Sequence, residues 1–304
     1  MKRILPLCLA CLVSLSACSV QGAVIPAAAP APALSAVPAP AVPSIQPQER
    51  LTSSASPLSI SLETQALEGT EWNGGLSSLP QTLVDGQAEL SDLWDEPSGT
   101  VLLAQLPEKD IFLYGIWDEE TPEERCLLRV GDLARSYDLP WATPRCLLPQ
   151  LHCGDFDGDG KDELAMLANT GSGTGVSVWT LCIVESDLSA SLLSDLAYED
   201  TLASYLGCVY NKGEQQAVIT LGNDEITVDL SEYDLTDDSP LEAYAGTIVD
   251  YAVEGDAITA QLDVGLYGKG LPYTVCYFGQ LEGQIVYDGA GFSLTDSALF
   301  PYDL

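Results

Sequence analysis

Short apolar runs separated by turn residues dominate the chain beyond residue 100. TVLLAQL (100–106), IFLYGIW (111–117) and CLLRVGD (126–132) combine β-branched and aromatic residues at strand length. QQAVITL and EITVDLS bracket Asn223-Asp224, GTIVDYAV and AITAQLDVGL bracket Glu254-Gly255-Asp256, and YTVCYFGQLEGQIVY meets GFSLT around DGAG. Apolar runs flanking two to four turn residues predict hairpins. The fold class expected is mainly β, α+β at most, with antiparallel sheets and one or two short helices. A helix is predicted between Leu188 and Leu206, where Leu192, Leu196 and Tyr205 recur among polar residues. Residues 58–99 form a poorly patterned extension. Residues 100–304 form the β-rich domain, with 100–187 and 207–304 as two potential subdomains.

The N-terminal pattern is different. Lys2 and Arg3 precede an apolar run from Ile4 to Leu15 and then Ser16-Ala17-Cys18. A basic start, a short apolar core and small residues before a cut predict a secretory signal over 1–17. The run falls short of the roughly 20 apolar residues that span a bilayer. LSAC at 15–18 resembles the lipobox of bacterial lipoproteins. That resemblance implies an acylated Cys18 at the mature N-terminus, holding the protein outside the cytoplasm on the cell membrane; the other reading is an ordinary cleaved signal with Cys18 incidental. Residues 18–57 are a linker rich in Pro, Ala, Ser and Val. Proline fixes the backbone and removes a donor, so such a run stays extended, and at about 3.1 Å per residue it reaches on the order of 100 Å. It reads as a stalk; basic or aromatic flanks that would mark it as a ligand for a recognition module are missing.

Charge and cysteine usage narrow the partners. The chain has 45 acidic and 11 basic residues, a formal charge of −34. Loss of 1–17 removes Lys2 and Arg3, leaving 45 acidic against 9 basic residues and a charge of −36. Such a surface disfavours nucleic acid and anionic headgroups and attracts cations. Six cysteines lie beyond Cys18: Cys126, Cys146, Cys153, Cys182, Cys208 and Cys276. In an exported protein they allow up to three disulfides, while WTLCIV and YTVCYF equally suit buried free thiols. Zinc is disfavoured, since the mature part has no Cys-x-x-Cys pair and a single histidine, His152.

The concentration of acids in DFDGDGKDE gives the clearest chemistry. Asp155, Asp157 and Asp159 alternate, Gly160 permits a sharp turn, and Glu163 stands ninth. Calcium takes six to eight oxygen ligands, and carboxylates at positions one, three and five of a tight loop can wrap it, with the Lys161 carbonyl at position seven. An EF-hand requires Glu at position twelve, where this chain has Met166. The stretch instead resembles the calcium loop of FG-GAP and VCBS-type repeats, in which an acid at position nine leads directly into an apolar strand. Leu164 to Ala168 fits that strand. The resemblance implies calcium held by Asp155, Asp157, Asp159, the Lys161 backbone and Glu163, with Asp162 turned away. The competing reading is a solvated acidic turn. One copy of the loop argues against a β-propeller, which repeats its blade at least four times. Over 150–185 the chain is similar to VCBS/FG-GAP-like lipoproteins of Firmicutes.

Other motifs carry less. GSGTG (171–175) leads into VSVW, a strand, rather than into the helix that phosphate-cradling loops open, so it is expected to join two strands. Nothing of GxSxG type accompanies His152. Trp72, Trp94, Trp117, Trp141 and Trp179 are candidates for sugar stacking or for core. The expectation is a lipid-anchored, extracytoplasmic binding or surface-interaction protein with a structural calcium loop and a protein or glycan ligand. The alternatives are a cell-envelope hydrolase using paired carboxylates and an accessory subunit of an envelope sensor.

Overall fold

A computed structural model describes residues 58–84, 98–118, 125–141, 147–193, 196–233, 235, 240–268 and 276–302. With strands numbered in chain order, Glu163–Gly173 is β9, and its first seven residues are all buried. Successive side chains of a strand point to opposite faces, and here both faces meet a core. Leu164, Met166 and Ala168 enter one hydrophobic cluster, whereas Ala165 and Leu167 enter another. Its partner β10 (Val176–Val184) divides in the same way, with Cys182 and Val184 on the first side and Leu181 and Ile183 on the second. Two-sided burial explains why LAMLA, from Leu164 to Ala168, is a continuous apolar run. Each large apolar side chain so buried contributes about 1.5–3 kcal/mol.

The first core is closed by a five-stranded antiparallel sheet in the order β3 (Gly69–Glu71), β7 (Leu133–Tyr137), β6 (Arg125–Val130), β5 (Ile111–Asp118) and β4 (Ser98–Leu106). Val101, Leu103, Leu113, Leu128 and Tyr137 face it. The opposite face of that sheet, with Leu102, Tyr114 and Leu127, packs against Leu79 and half-buried Trp72 and Leu76. Residues 58–84 thus cover a sheet face and add three short strands, among them β1 (Ile60–Leu62) and β2 (Gln65–Leu67).

The second core lies within a ten-stranded sheet. Its order is β1, β18 (Phe292–Pro301), β17 (Cys276–Tyr287), β16 (Ala257–Tyr267), β15 (Glu242–Glu254), β10, β11 (Ala190–Leu193) and β2, while β8 (Gln150–Gly154) and β9 extend from the other edge of β10. Strand β10 is the branch point. One edge pairs with β9 along its whole length; the other pairs in parallel with β15 at Ser177 and Val178, and then with β11 from Leu181 to Val184. A three-stranded meander, β12 (Leu206–Asn211), β13 (Gln216–Leu221) and β14 (Asp224–Asp229), supplies Ile219 and Val228 to this core. Among the described residues the architecture is mainly β and antiparallel apart from the β10–β15 contact and one isolated parallel bridge, and the sheets close neither a barrel nor a propeller.

Two local expectations require correction. Between Leu188 and Leu206 the helix α1 covers only Leu196–Leu202, and Ala190–Leu193 is strand β11. The edge of β10 beyond β15 presents backbone donors and acceptors, and pairing them outweighs a moderate helical periodicity. In the β13–β14 hairpin Leu221 pairs with Asp224, so the turn is Gly222-Asn223, one residue earlier than expected. Glycine takes the positive φ of 60° there at little cost. The turns at Gly255-Asp256 and at Asp288 to Gly291 fall where the sequence places them.

Candidate metal centre

The loop from Asp155 to Asp162 joins β8 to the doubly buried β9, and Glu163 is the first residue of that strand. Each acid uses one oxygen to organise the backbone. Asp155 Oδ2 accepts from Gly160 N at 3.1 Å, Asp157 Oδ1 from Asp159 N at 2.9 Å, and Asp159 Oδ1 from Lys161 N at 2.8 Å. Glu163 Oε2 accepts from Phe156 N at 2.8 Å. Gly158 and Gly160 have φ of 77° and 88°, a region that side-chain-bearing residues rarely adopt, and this lets the chain coil back over its own carboxylates.

The result is a convergence. Carboxylate oxygens of Asp155, Asp157, Asp159 and Glu163 all lie within 4.8 Å of one another. Asp155 Oδ1 is buried and has no hydrogen-bond partner, and Glu163 is only 4% exposed. Burial is the main cause that pushes the Glu163 carboxyl above its usual range, reinforced by the charges of Asp157 and Glu185 and opposed by the Phe156 N–H. The one cation bonded inside the loop is Lys161, whose ammonium donates to Asp159 Oδ2 and lowers that acid's pKa. Four clustered carboxylates with an orphaned buried oxygen form a donor set of the hard-oxygen kind, and it can hold a metal ion.

Comparison with protein-family models, curated proteins and solved structures finds no match to this chain. What the site does must come from its own geometry.

Of the residues singled out in the sequence, the four acids meet in one cluster. Lys161 is exposed beside it, its N–H and its ammonium both on Asp159. Asp162 turns out of the cluster onto Lys109 in the turn after β4, with Nζ to Oδ2 at 2.6 Å. Cys18, Cys146 and Trp94 lie outside the described residues. Cys153, Cys182, Cys208 and Cys276 carry free thiols, Cys126 is buried, and burial raises the Cys182 thiol to about 12. Trp141 is buried and packs against Trp117 at 5.9 Å between ring centroids; Trp72, Trp117 and Trp179 are half-buried. His152 is half-buried on β8, where burial lowers its pKa. GSGTG ends β9 and turns into β10 at Thr174-Gly175, the strand connection expected.

Two contacts carry no local sequence signal. Asp256, in the β15–β16 turn, accepts a hydrogen bond from Asp155 N at 3.0 Å. Asp157 Oδ2 lies close to Gly289 in the β17–β18 turn, where an added Cβ would stand 3.0 Å from it. The loop therefore touches both C-terminal hairpin turns and, through Asp162, the turn that joins β4 to β5. Beside it a cleft of about 260 Å³ is lined by Lys109, Ile111, Cys153, Glu163, Val184 and Glu185. Burial raises the Cys153 thiol, with Lys109 opposing, so a reactive thiolate is not favoured there.

Proposed function

We propose that this chain is a lipid-anchored, extracytoplasmic binding or surface-interaction protein in which a single calcium ion braces the sheets. The observation that carries the calcium reading is the cluster of Asp155, Asp157, Asp159 and Glu163 within 4.8 Å. Calcium suits a flexible set of carboxylate and carbonyl oxygens, whereas magnesium demands tighter octahedral geometry and keeps its waters. The Lys161 carbonyl completes the proposed set. Bound there, the ion supplies charge neutralisation and cross-linking. The residues do the rest: Glu163 ties the loop to the doubly buried β9, and Asp162 ties it to Lys109. The signal-like segment 1–17 followed by Cys18 supports export and lipid attachment, and the Pro-rich linker supports display away from the membrane. The partner is a protein or glycan outside the cytoplasm rather than nucleic acid, given the charge of −36 once 1–17 is removed.

Calorimetric titration of the protein with calcium tests this reading. The expected result is one ion per chain, in the range of roughly 0.1–1 mM common for extracellular calcium modules, with weaker binding of magnesium. Absence of saturable calcium binding would remove the calcium centre.

A further inference from the structure

We infer that Asp256 sets the metal affinity of the loop although it lies 101 residues downstream of Asp155. This inference rests on the calcium reading. Asp155 opens the loop, and its carboxylate does two jobs: Oδ2 closes the coil on Gly160 N, and Oδ1 is buried without a partner. The position of both oxygens depends on the backbone at Asp155, whose N–H donates to Asp256 Oδ1 at 3.0 Å. The β15–β16 turn approaches this point so closely that a Cβ on Gly154 would lie 2.8 Å from Asp256 Oδ1 and 3.0 Å from the Gly255 carbonyl oxygen. A glycine at 154 is what admits the turn. Asp256 itself is exposed and absent from the converging set, so it acts on the metal through Asp155 rather than by ligation.

Without that hydrogen bond the first turn of the loop samples backbone conformations that do not bind, and apparent affinity falls by the fraction that remains competent. Residues that orient metal ligands in this way typically change metal affinity 10- to 100-fold when removed. Asp256 is thus a positioning residue, which couples the metal to the C-terminal hairpin.

Calcium affinity of wild type, Asp256→Ala and Asp256→Asn, measured by calorimetry alongside melting in chelator, tests the inference. Asn keeps one acceptor oxygen at the same reach while it removes the charge and replaces the other oxygen with an NH2 donor. The expected result is about tenfold weaker binding for Ala and recovery to within about threefold of wild type for Asn. Unchanged affinity in Ala would overturn the inference, as would a lower melting temperature in chelator with affinity intact, since that marks a purely structural turn. Equal weakening by Ala and Asn would overturn it too, because the cause would then be the charge of Asp256 and not its hydrogen bond. If wild type binds no calcium, the calcium reading fails and this inference with it; if wild type binds and Ala matches it, only the role of Asp256 fails.

Discussion

Replacing Asp157 by alanine should abolish the response of the fold to calcium. A ligand that binds only the native state stabilises it by about 2.7 kcal/mol at a hundredfold excess over Kd. For a domain of this size each kcal/mol shifts Tm by roughly 2–4 °C, so wild type should melt about 5–11 °C higher in saturating calcium than in chelator. Asp157→Ala removes one of the four converging carboxylates, and that interval should shrink to near zero. In chelator the substitution has two opposed effects. It relieves repulsion among the clustered acids and it deletes the bond from Asp159 N to Asp157 Oδ1. The interval between the two conditions is therefore the informative quantity. Asp162→Ala is the control, because Asp162 faces Lys109 with both side chains well exposed, at 59% and 42%. An exposed ion pair contributes little, and its loss should lower Tm alike in calcium and chelator, leaving the interval intact. Differential scanning calorimetry in calcium, in magnesium and in chelator separates the cases. If magnesium stabilises as well as calcium, or if Asp162→Ala erases the interval as completely as Asp157→Ala, the effect is general screening of an acidic surface and the site assignment is wrong.

Cys18→Ser should release the protein from the membrane fraction or leave the precursor unprocessed; mass spectrometry of the mature N-terminus reads this directly, and an unmodified peptide starting elsewhere would end the lipid-anchor proposal. Alkaline pH should destabilise the fold between about 10 and 12. Burial pushes the Tyr287 phenol from 10.0 to about 12, while its hydroxyl donates to Glu185 Oε1 at 3.0 Å. Burial raises Tyr137 and Tyr302 in the same direction. A pKa raised in the folded state gives stability that is complete below the unfolded value and lost as pH rises through the folded one. Tm should hold up to pH 10 and then fall, in step with tyrosinate absorbance at 295 nm; a rise in Tm over that window would contradict the burial of Tyr287.

The carboxylate cluster could be read in the sequence because it is local: nine consecutive residues hold the converging acids, the glycines that coil the chain and the start of β9. The hairpins of β15 to β18 were legible for a related reason, since alternating burial and short turns are encoded within each pair. Strand β11 was not. Ala190–Leu193 is strand because β10 leaves an edge open once β15 diverges, and nothing in ASLL announces that edge. The extension 58–99 shows little pattern because the strands in its described part, 58–84, are three residues long, too short to display a period, and their partners lie as far away as β18. Asp256 could not be found for the same reason, as its partner at Asp155 belongs to a different hairpin.

Strand β1 pairs with β18, Ile60 opposite Leu294, and Phe292 N donates to Thr64 Oγ1 across 228 residues. At translation speeds of about 5–20 residues per second, these neighbours are synthesised roughly 10–50 s apart. Throughout that interval Ile60 and Leu62, almost fully buried in the finished protein, have no sheet to join. That edge of the large sheet is thus sealed only once β18, the last of the described strands, is in place. A chain cut short before residue 292 leaves β1 without its partner, so one edge of the large sheet depends on joining the first and last of the described strands.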